Sequence, residues 1–171
     1  MILIHIIDVI GYSGSGKTTF IIKLINLFIS DLKYKVAIIK NVKHHMIDEQ
    51  GKDSYLFTEA GASYSIISNV HNEVAIFMKS KKNMIKDLIE WLKIGPYKLD
   101  FIITEGFRNL GNPTVLCISN LEEIEEQLTK NIRMITGLIC SKDPSINSFS
   151  SLPIIDIEKD FGKFMKIFNI K

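Results

Sequence analysis

The chain has 171 residues, 46% apolar and 23% charged, which suits one ordinary globular domain with a core of its own. Its net charge of +2 is too small to mark nucleic acid or a membrane surface as the main partner. No apolar run reaches the ~20 residues that span a bilayer, and the apolar start lacks the basic lead of a signal peptide. Cys117 and Cys140 lie in apolar, strand-like runs without metal spacing. They read as reduced core thiols of a cytosolic protein.

In chain order, Ile2 to Ile10 is a near-continuous apolar run, the pattern of a parallel strand buried on both faces. Gly11-Tyr12-Ser13-Gly14-Ser15-Gly16-Lys17-Thr18 follows and fits G-x-x-x-x-G-K-[ST] at every required position. Lys17 to Ser30 carries a broad apolar stripe at helical spacing, and Val36 to Ile39 is a short buried strand. Strand, loop, helix and strand make one right-handed βαβ unit. After Lys40 the chain turns polar, from Asn41 to Ser54, and Asp53 or Ser54 is placed to cap a short helix ended by Gly61. Ser63 to Ser68 and Glu73 to Met78 flank Asn69-Val70-His71-Asn72, the pattern of an inserted β-hairpin.

Lys79 to Asn83 reads as a basic linker, Met84 to Lys93 as an amphipathic helix stopped at Gly95-Pro96, and Leu99 to Thr104 as a buried strand. Val115 to Ile118 is a strand, Leu121 to Leu128 a short acidic helix, and Ile132 to Cys140 a strand ending in Ser141-Lys142-Asp143. Ile154 to Ile157 is a short final strand and Asp160 to Phe168 a closing helix. The expected fold is α/β: a mostly parallel, P-loop NTPase-like sheet with helices on both faces, in one domain over 1–171, with the hairpin inserted at about 63–78.

The glycines of the loop turn successive N–H groups inward, an anion nest at a helix N-terminus. Gly11, Ser13, Gly14, Ser15, Gly16 and Thr19 are expected around the phosphates. Lys17 supplies a charge to the β- and γ-phosphates, and the Thr18 hydroxyl a ligand to Mg²⁺. Such a site needs an acidic partner on another strand. Glu105, at the end of an apolar strand and beside Gly106, is one candidate; Asp48, in the polar loop, is the other. Adjacent histidines point apart on regular backbone, so His44-His45 reads as a solvated pair or an anion contact rather than a metal site. Ser141-Lys142-Asp143 is a shortened form of the N/T-K-x-D element, in which the Asp accepts from guanine N1 and N2. It tilts the base slightly toward guanine.

Taken together, the loop, Ile39-Lys40-Asn41 with His44 and His45, Asp48, Gly51-Lys52-Asp53-Ser54, Ala60-Gly61-Ala62, and Glu105-Gly106-Phe107 followed by Pro113 resemble the MobB family over residues 1 to 119. These are the adaptor proteins of molybdopterin-guanine dinucleotide biosynthesis. The resemblance implies a cytoplasmic, GTP- and Mg²⁺-binding homodimer with weak GTPase activity, assisting a MobA-like molybdenum cofactor guanylyltransferase. It also implies that Gly14, Gly16, Lys17 and Thr18 hold phosphate and Mg²⁺, with Glu105 near the metal. The chain departs from the family at Asn41-Val42-Lys43, where many members are richer in His, and at Arg108, where a Lys often follows the Phe. Two other readings stand beside this one. A small-molecule kinase usually brings arginines over the transferred phosphoryl group, and here only Arg108 and Arg133 are available. A metallochaperone GTPase needs a Cys/His cluster, and the sequence supplies only the adjacent His pair.

Overall fold

The strands, in chain order, are β1 (His5–Ile10), β2 (Val36–Lys40), β3 (Ser65–Ser68), β4 (Val74–Phe77), β5 (Phe101–Glu105), β6 (Thr114–Cys117), β7 (Ile132–Thr136), β8 (Ser148–Phe149) and β9 (Leu152–Pro153). The helices are α1 (Lys17–Leu32), α2 (Asp53–Glu59), α3 (Ile85–Ile94), α4 (Ile139–Lys142) and α5 (Phe161–Ile167). These come from a computed structural model that describes residues 4–79 and 85–170. The expected strand start at Ile2, the linker over 80–83 and Met84 lie outside them. The chain falls into two compact units whose boundaries lie at Asn41/Val42 and Trp91/Leu92.

The first unit is built on a five-stranded parallel sheet of order β2-β5-β1-β6-β7. β1 is central, and β5 and β6 beside it are buried along their whole length. That is why these strands read as continuous apolar runs rather than alternating ones. One face packs on α1 and α5. Ile7, Val9, Ile103, Val115 and Cys117 meet Phe20, Leu24 and Phe28 of α1 and Phe164 of α5. The Phe28 ring stacks on Phe101 at 4.2 Å and meets Phe161 and Phe164 at its other sides. Such a fully buried aromatic side chain contributes roughly 1.5–3 kcal/mol from area alone. The opposite face gathers Ile10, Leu116, Ile118 and Ile135 under Ile124, Ile139 and Ile154. The sheet is therefore α/β as the sequence implies, and its carboxyl edge carries the loops after β1, β2, β5, β6 and β7.

Four boundaries differ from the sequence reading. The strand expected to reach Cys140 ends at Thr136, because Gly137 takes a φ of 106° and Ile139–Lys142 winds into α4. The acidic helix is two 3₁₀ turns, Leu121–Glu123 and Glu125–Gln127; glutamates at 122, 125 and 126 repel at helical spacing. The final strand reduces to a single parallel bridge from Ile154 to Ile135, since Leu152–Pro153 pairs the other way with β8. Lys52 occupies the cap position of α2 without a side-chain bond, and Ser54 turns to Asp48 instead.

The second unit holds the polar loop, α2 and the hairpin β3-β4, with α2 packed on the hairpin. The hairpin forms where the sequence places it, in antiparallel register with Ile66 opposite Ile76 and Ser68 opposite Val74. Asn69 fastens its turn: the side-chain carbonyl accepts from the N–H groups of His71 and Glu73, and the amide donates to the Glu73 carboxylate. Ile66, Val74 and Ile76 remain exposed.

Candidate nucleotide site

The loop between β1 and α1 has the curvature its glycines allow. Gly11, Gly14 and Gly16 have φ of 145°, 75° and 92°. At Gly11 a Cβ would stand 2.2 Å from the Cys117 carbonyl oxygen, so the loop lies directly against the end of β6. Lys17 bends back over the loop, and its Nζ donates to the carbonyls of Gly11 (3.0 Å) and Tyr12 (2.6 Å). Burial pushes its ammonium below the ordinary lysine range, against the opposing pull of Glu105. Ser13, Thr18 and Thr19 are exposed along the loop, and Ser15 is buried with a hydroxyl that no described group satisfies.

Glu105 reaches the loop by register. It follows Ile103 at a two-residue step, so it shares the face of the sheet that carries α1, opposite Val9 of β1 and Lys40 of β2. Its carboxylate, 6% exposed, accepts from Thr18 Oγ1 at 3.3 Å. Lys40 Nζ stands 3.2 Å from the same carboxylate and 3.4 Å from Thr18 Oγ1. Sequence reasoning met Lys40 only within Ile39-Lys40-Asn41 and gave it no role; its cross-strand place opposite Glu105 becomes legible only once β2 and β5 are known to be neighbours. Asp48 belongs to the second unit. There its Oδ1 accepts from Ser54 Oγ (2.8 Å) and from the Glu49 N–H (2.9 Å), and its Oδ2 is buried with no described partner. His44 and His45 are exposed in the same loop.

Lys142 and Asp143 are carried by α4 and its end rather than by a strand terminus. Lys142 Nζ reaches Asn120 Oδ1 at 3.5 Å, while Asp143 Oδ1 accepts from the N–H and hydroxyl of Ser145. Gly137 is a second residue the sequence reading passed over. Its Cβ would meet the Ser15 carbonyl at 2.4 Å and Ile118 oxygen at 2.8 Å, so the end of β7 presses on the loop from the other side. The Arg108 guanidinium lies 5.9 Å from the Tyr12 ring centroid and donates to Gln127 Oε1 at 2.7 Å, while the Tyr12 hydroxyl donates to Glu126. Arg133 lies on β7, exposed. A third residue that the sequence reading passed over is Asp8, buried in β1 and bonded by Thr104 Oγ1 (2.7 Å) and Asn112 Nδ2 (3.1 Å). Burial raises its carboxyl above the usual range despite those donors.

The model of the family described as MobB, molybdopterin guanine dinucleotide synthesis protein B, matches residues 6–141. The chain belongs to the MobB family. It is 35% identical over 114 residues to the molybdopterin-guanine dinucleotide biosynthesis adapter protein of Haemophilus influenzae, covering 66% of this chain and 62% of that one. To the adapter protein of Escherichia coli it is 32% identical over 110 residues, 63% of this chain and 61% of the relative. The match thus spans about three-fifths of the length of those relatives. The fold is that of Bacillus subtilis MobB, with a TM-score of 0.75 at 24% identity over 98% of both chains. It is also that of the MobB homolog from Bacillus stearothermophilus, with a TM-score of 0.69 at 18% identity over 97% of this chain and 99% of the other.

The residues of this MobB-family chain fit a triphosphate and a magnesium ion. The cradle at Gly11 and Gly14 is one that side chains would fill or strain, and Thr18 and Glu105 offer a hydroxyl and a carboxylate, the hard oxygen donors Mg²⁺ takes. Among the described residues no three His, Cys, Asp or Glu side chains come together as a soft-metal centre would require. Cys117 is buried and its thiol is pushed up by that burial, so it stays protonated and inert.

Proposed function

We propose that this chain binds Mg²⁺ and GTP in the loop 11–18 and works as an adaptor in molybdopterin guanine dinucleotide biosynthesis. The reading rests on family membership and, in the structure, on one observation: the Thr18 hydroxyl lies 3.3 Å from the buried Glu105 carboxylate, at the mouth of a glycine loop crossed by Lys17. In this proposal Gly11, Ser13, Gly14, Ser15, Gly16 and Thr19 surround the phosphates, and Lys17 turns from the loop carbonyls to the β- and γ-oxygens. Thr18 and Glu105 hold the ion, which offsets phosphate charge when bound. Lys40 holds the Glu105 carboxylate beside Thr18. Asp48 serves its own loop by fastening Ser54 at the start of α2. The partner is a MobA-like guanylyltransferase, the compartment is the cytoplasm, and two chains pair through the hairpin, whose apolar faces an isolated two-stranded ribbon cannot satisfy alone.

Arg108 gives the kinase reading one cation beside the loop. It is tied to Gln127 and Tyr12, and the adaptor reading keeps the family support that a kinase lacks. Competition of GTP and ATP against a labelled guanine nucleotide decides between them. The adaptor reading expects GTP to displace the label at the lower concentration, and displacement by ATP at lower concentration than GTP would instead favour kinase chemistry.

A further inference from the structure

The polar groups of the loop are not symmetric about β1. Glu105, Thr18 and Lys40 stand on the β5 side, where the metal and the γ-phosphate belong. The other rim of the loop faces β7. The Leu138 N–H donates to the Ser15 carbonyl at 3.2 Å, and Gly16 could carry a Cβ only at 3.3 Å from Leu138 N. A triphosphate laid along the loop with its γ end at Glu105 therefore delivers its nucleoside toward β7.

A cavity of about 230 Å³ opens at that place, lined by Gly16, Thr19, Phe20, Leu138, Ser141 and Asp156 among others. Its size suits a base, smaller than the roughly 300–1,000 Å³ of sites that enclose whole drug-sized ligands. Asp156 is the one carboxylate among the described residues that line it. The bridge of Ile154 to Ile135, with the Ile155 N–H donating to Ile135 O at 2.9 Å, runs parallel to β7 and brings Asp156 to the carboxyl edge of the sheet. There the P-loop also ends. The Asp156 carboxylate is only lightly engaged: Oδ1 accepts from the Glu158 N–H at 3.3 Å, and Lys159 Nζ stands 3.6 Å from Oδ2. A carboxylate has about four acceptor sites, so two remain for a ligand.

We infer that this cavity is the base pocket of the nucleotide and that Asp156 reads guanine. The inference rests on the triphosphate reading of the loop. A carboxylate only accepts, and guanine presents two adjacent donors, N1–H and the N2 amino group. Adenine sets an N1 lone pair against the same oxygens, which repels. Lys23, also at the cavity and paired with Glu158, keeps further ammonium hydrogens for O6 or N7. This places guanine recognition on Asp156, which lines the cavity, rather than on Asp143, which is not among its lining residues.

The test titrates the full chain, with Mg²⁺, against tripolyphosphate, GTP, inosine triphosphate, xanthosine triphosphate and ATP, and repeats it on Asp156→Asn. The parent should prefer GTP to inosine triphosphate, which lacks the N2 donor, by about tenfold for one lost bond to a charged group. Asp156→Asn should bind GTP at least tenfold more weakly and xanthosine triphosphate more tightly than the parent does. Its amide can accept from N1–H and donate to O2, while tripolyphosphate binding stays unchanged. Equal affinities of the parent for GTP, inosine triphosphate and ATP overturn the inference even if the variant does not fold. A parent that binds tripolyphosphate but GTP no better overturns the base pocket alone. A parent that binds neither overturns the phosphate reading and this one with it.

Discussion

Gly137→Ala is a severe test of how the loop is held, because the substitution adds one methyl group where backbone of the loop and of Ile118 already stands within 3 Å. Gly137 has a φ of 106°, a region that non-glycine residues enter at a cost of roughly 1–3 kcal/mol. The added Cβ would lie 2.4 Å from the Ser15 carbonyl oxygen, 2.8 Å from Ile118 O and 2.9 Å from Ile118 N. All three are backbone atoms, so no rotamer change relieves the overlap, and overpacking of this kind costs about 1–3 kcal/mol. The Ser15 peptide must move, and the Leu138 N–H to Ser15 O bond of 3.2 Å goes with it, a loss of roughly 0.5–1.5 kcal/mol. The terms add to about 2.5–7.5 kcal/mol. At roughly 2–4 °C per kcal/mol for a chain of this size, the melting temperature should fall by at least about 5 °C. Nucleotide affinity measured below the transition should fall at least tenfold, because the Ser15 peptide is part of the loop. Gly111→Ala is the control. Gly111 has a φ of 93° and nothing within 4 Å of the added Cβ, so it should cost only the backbone term and leave nucleotide binding alone. A Gly137→Ala protein that melts with its Gly111→Ala counterpart and binds nucleotide like the parent would refute the contact between β7 and the loop.

Glu105→Gln should weaken Mg²⁺-dependent GTP binding at least tenfold, in titrations with and without the ion, whereas Asp48→Asn should leave it within about twofold; a charge-assisted contact is worth roughly 1.5–3 kcal/mol. The reverse ranking would move the ion to the polar loop. Ile66→Lys combined with Ile76→Lys, two facing and exposed positions of the hairpin, should yield a soluble monomer by light scattering that still binds nucleotide. A parent that is already monomeric, or a double variant that stays dimeric, removes the hairpin from the interface.

Much of the fold was legible because burial on both faces writes itself into composition. β1, β5 and β6 are mostly apolar since strands flank them and helices or turns cover them, and the α1 stripe follows from one face meeting that sheet. The hairpin was legible from its turn residues, Asn69 and Asn72, the latter with a φ of 62°. What periodicity did not show was decided by neighbours distant in sequence. Ile132 to Cys140 looks like one strand because its residues are apolar at both periods, and only Gly137 pressing on Ser15 ends it. Of the site, the loop itself and Glu105 were legible by motif and by position at a strand end. The places of Lys40 and Asp156 were not, because each is set by strand order. Lys40 faces Glu105 only when β2 and β5 are adjacent, and Asp156 reaches the loop's edge only by pairing beside β7. The family resemblance carried by residues 1 to 119 extends in the family match to residue 141.

The central claim is that the loop 11–18 binds a guanine triphosphate with Mg²⁺, and the most direct measurement is thermal melting of the parent and Lys17→Ala with and without Mg²⁺-GTP. A ligand that binds only the native state, present at a hundred times its dissociation constant, adds about 2.7 kcal/mol. For a chain of this length that is roughly 5–10 °C. The parent should rise by that amount and Lys17→Ala, folded and melting near the parent without ligand, should rise by less than about 1 °C. A parent that does not shift, or a Lys17→Ala protein that shifts as far as the parent, would contradict the assignment.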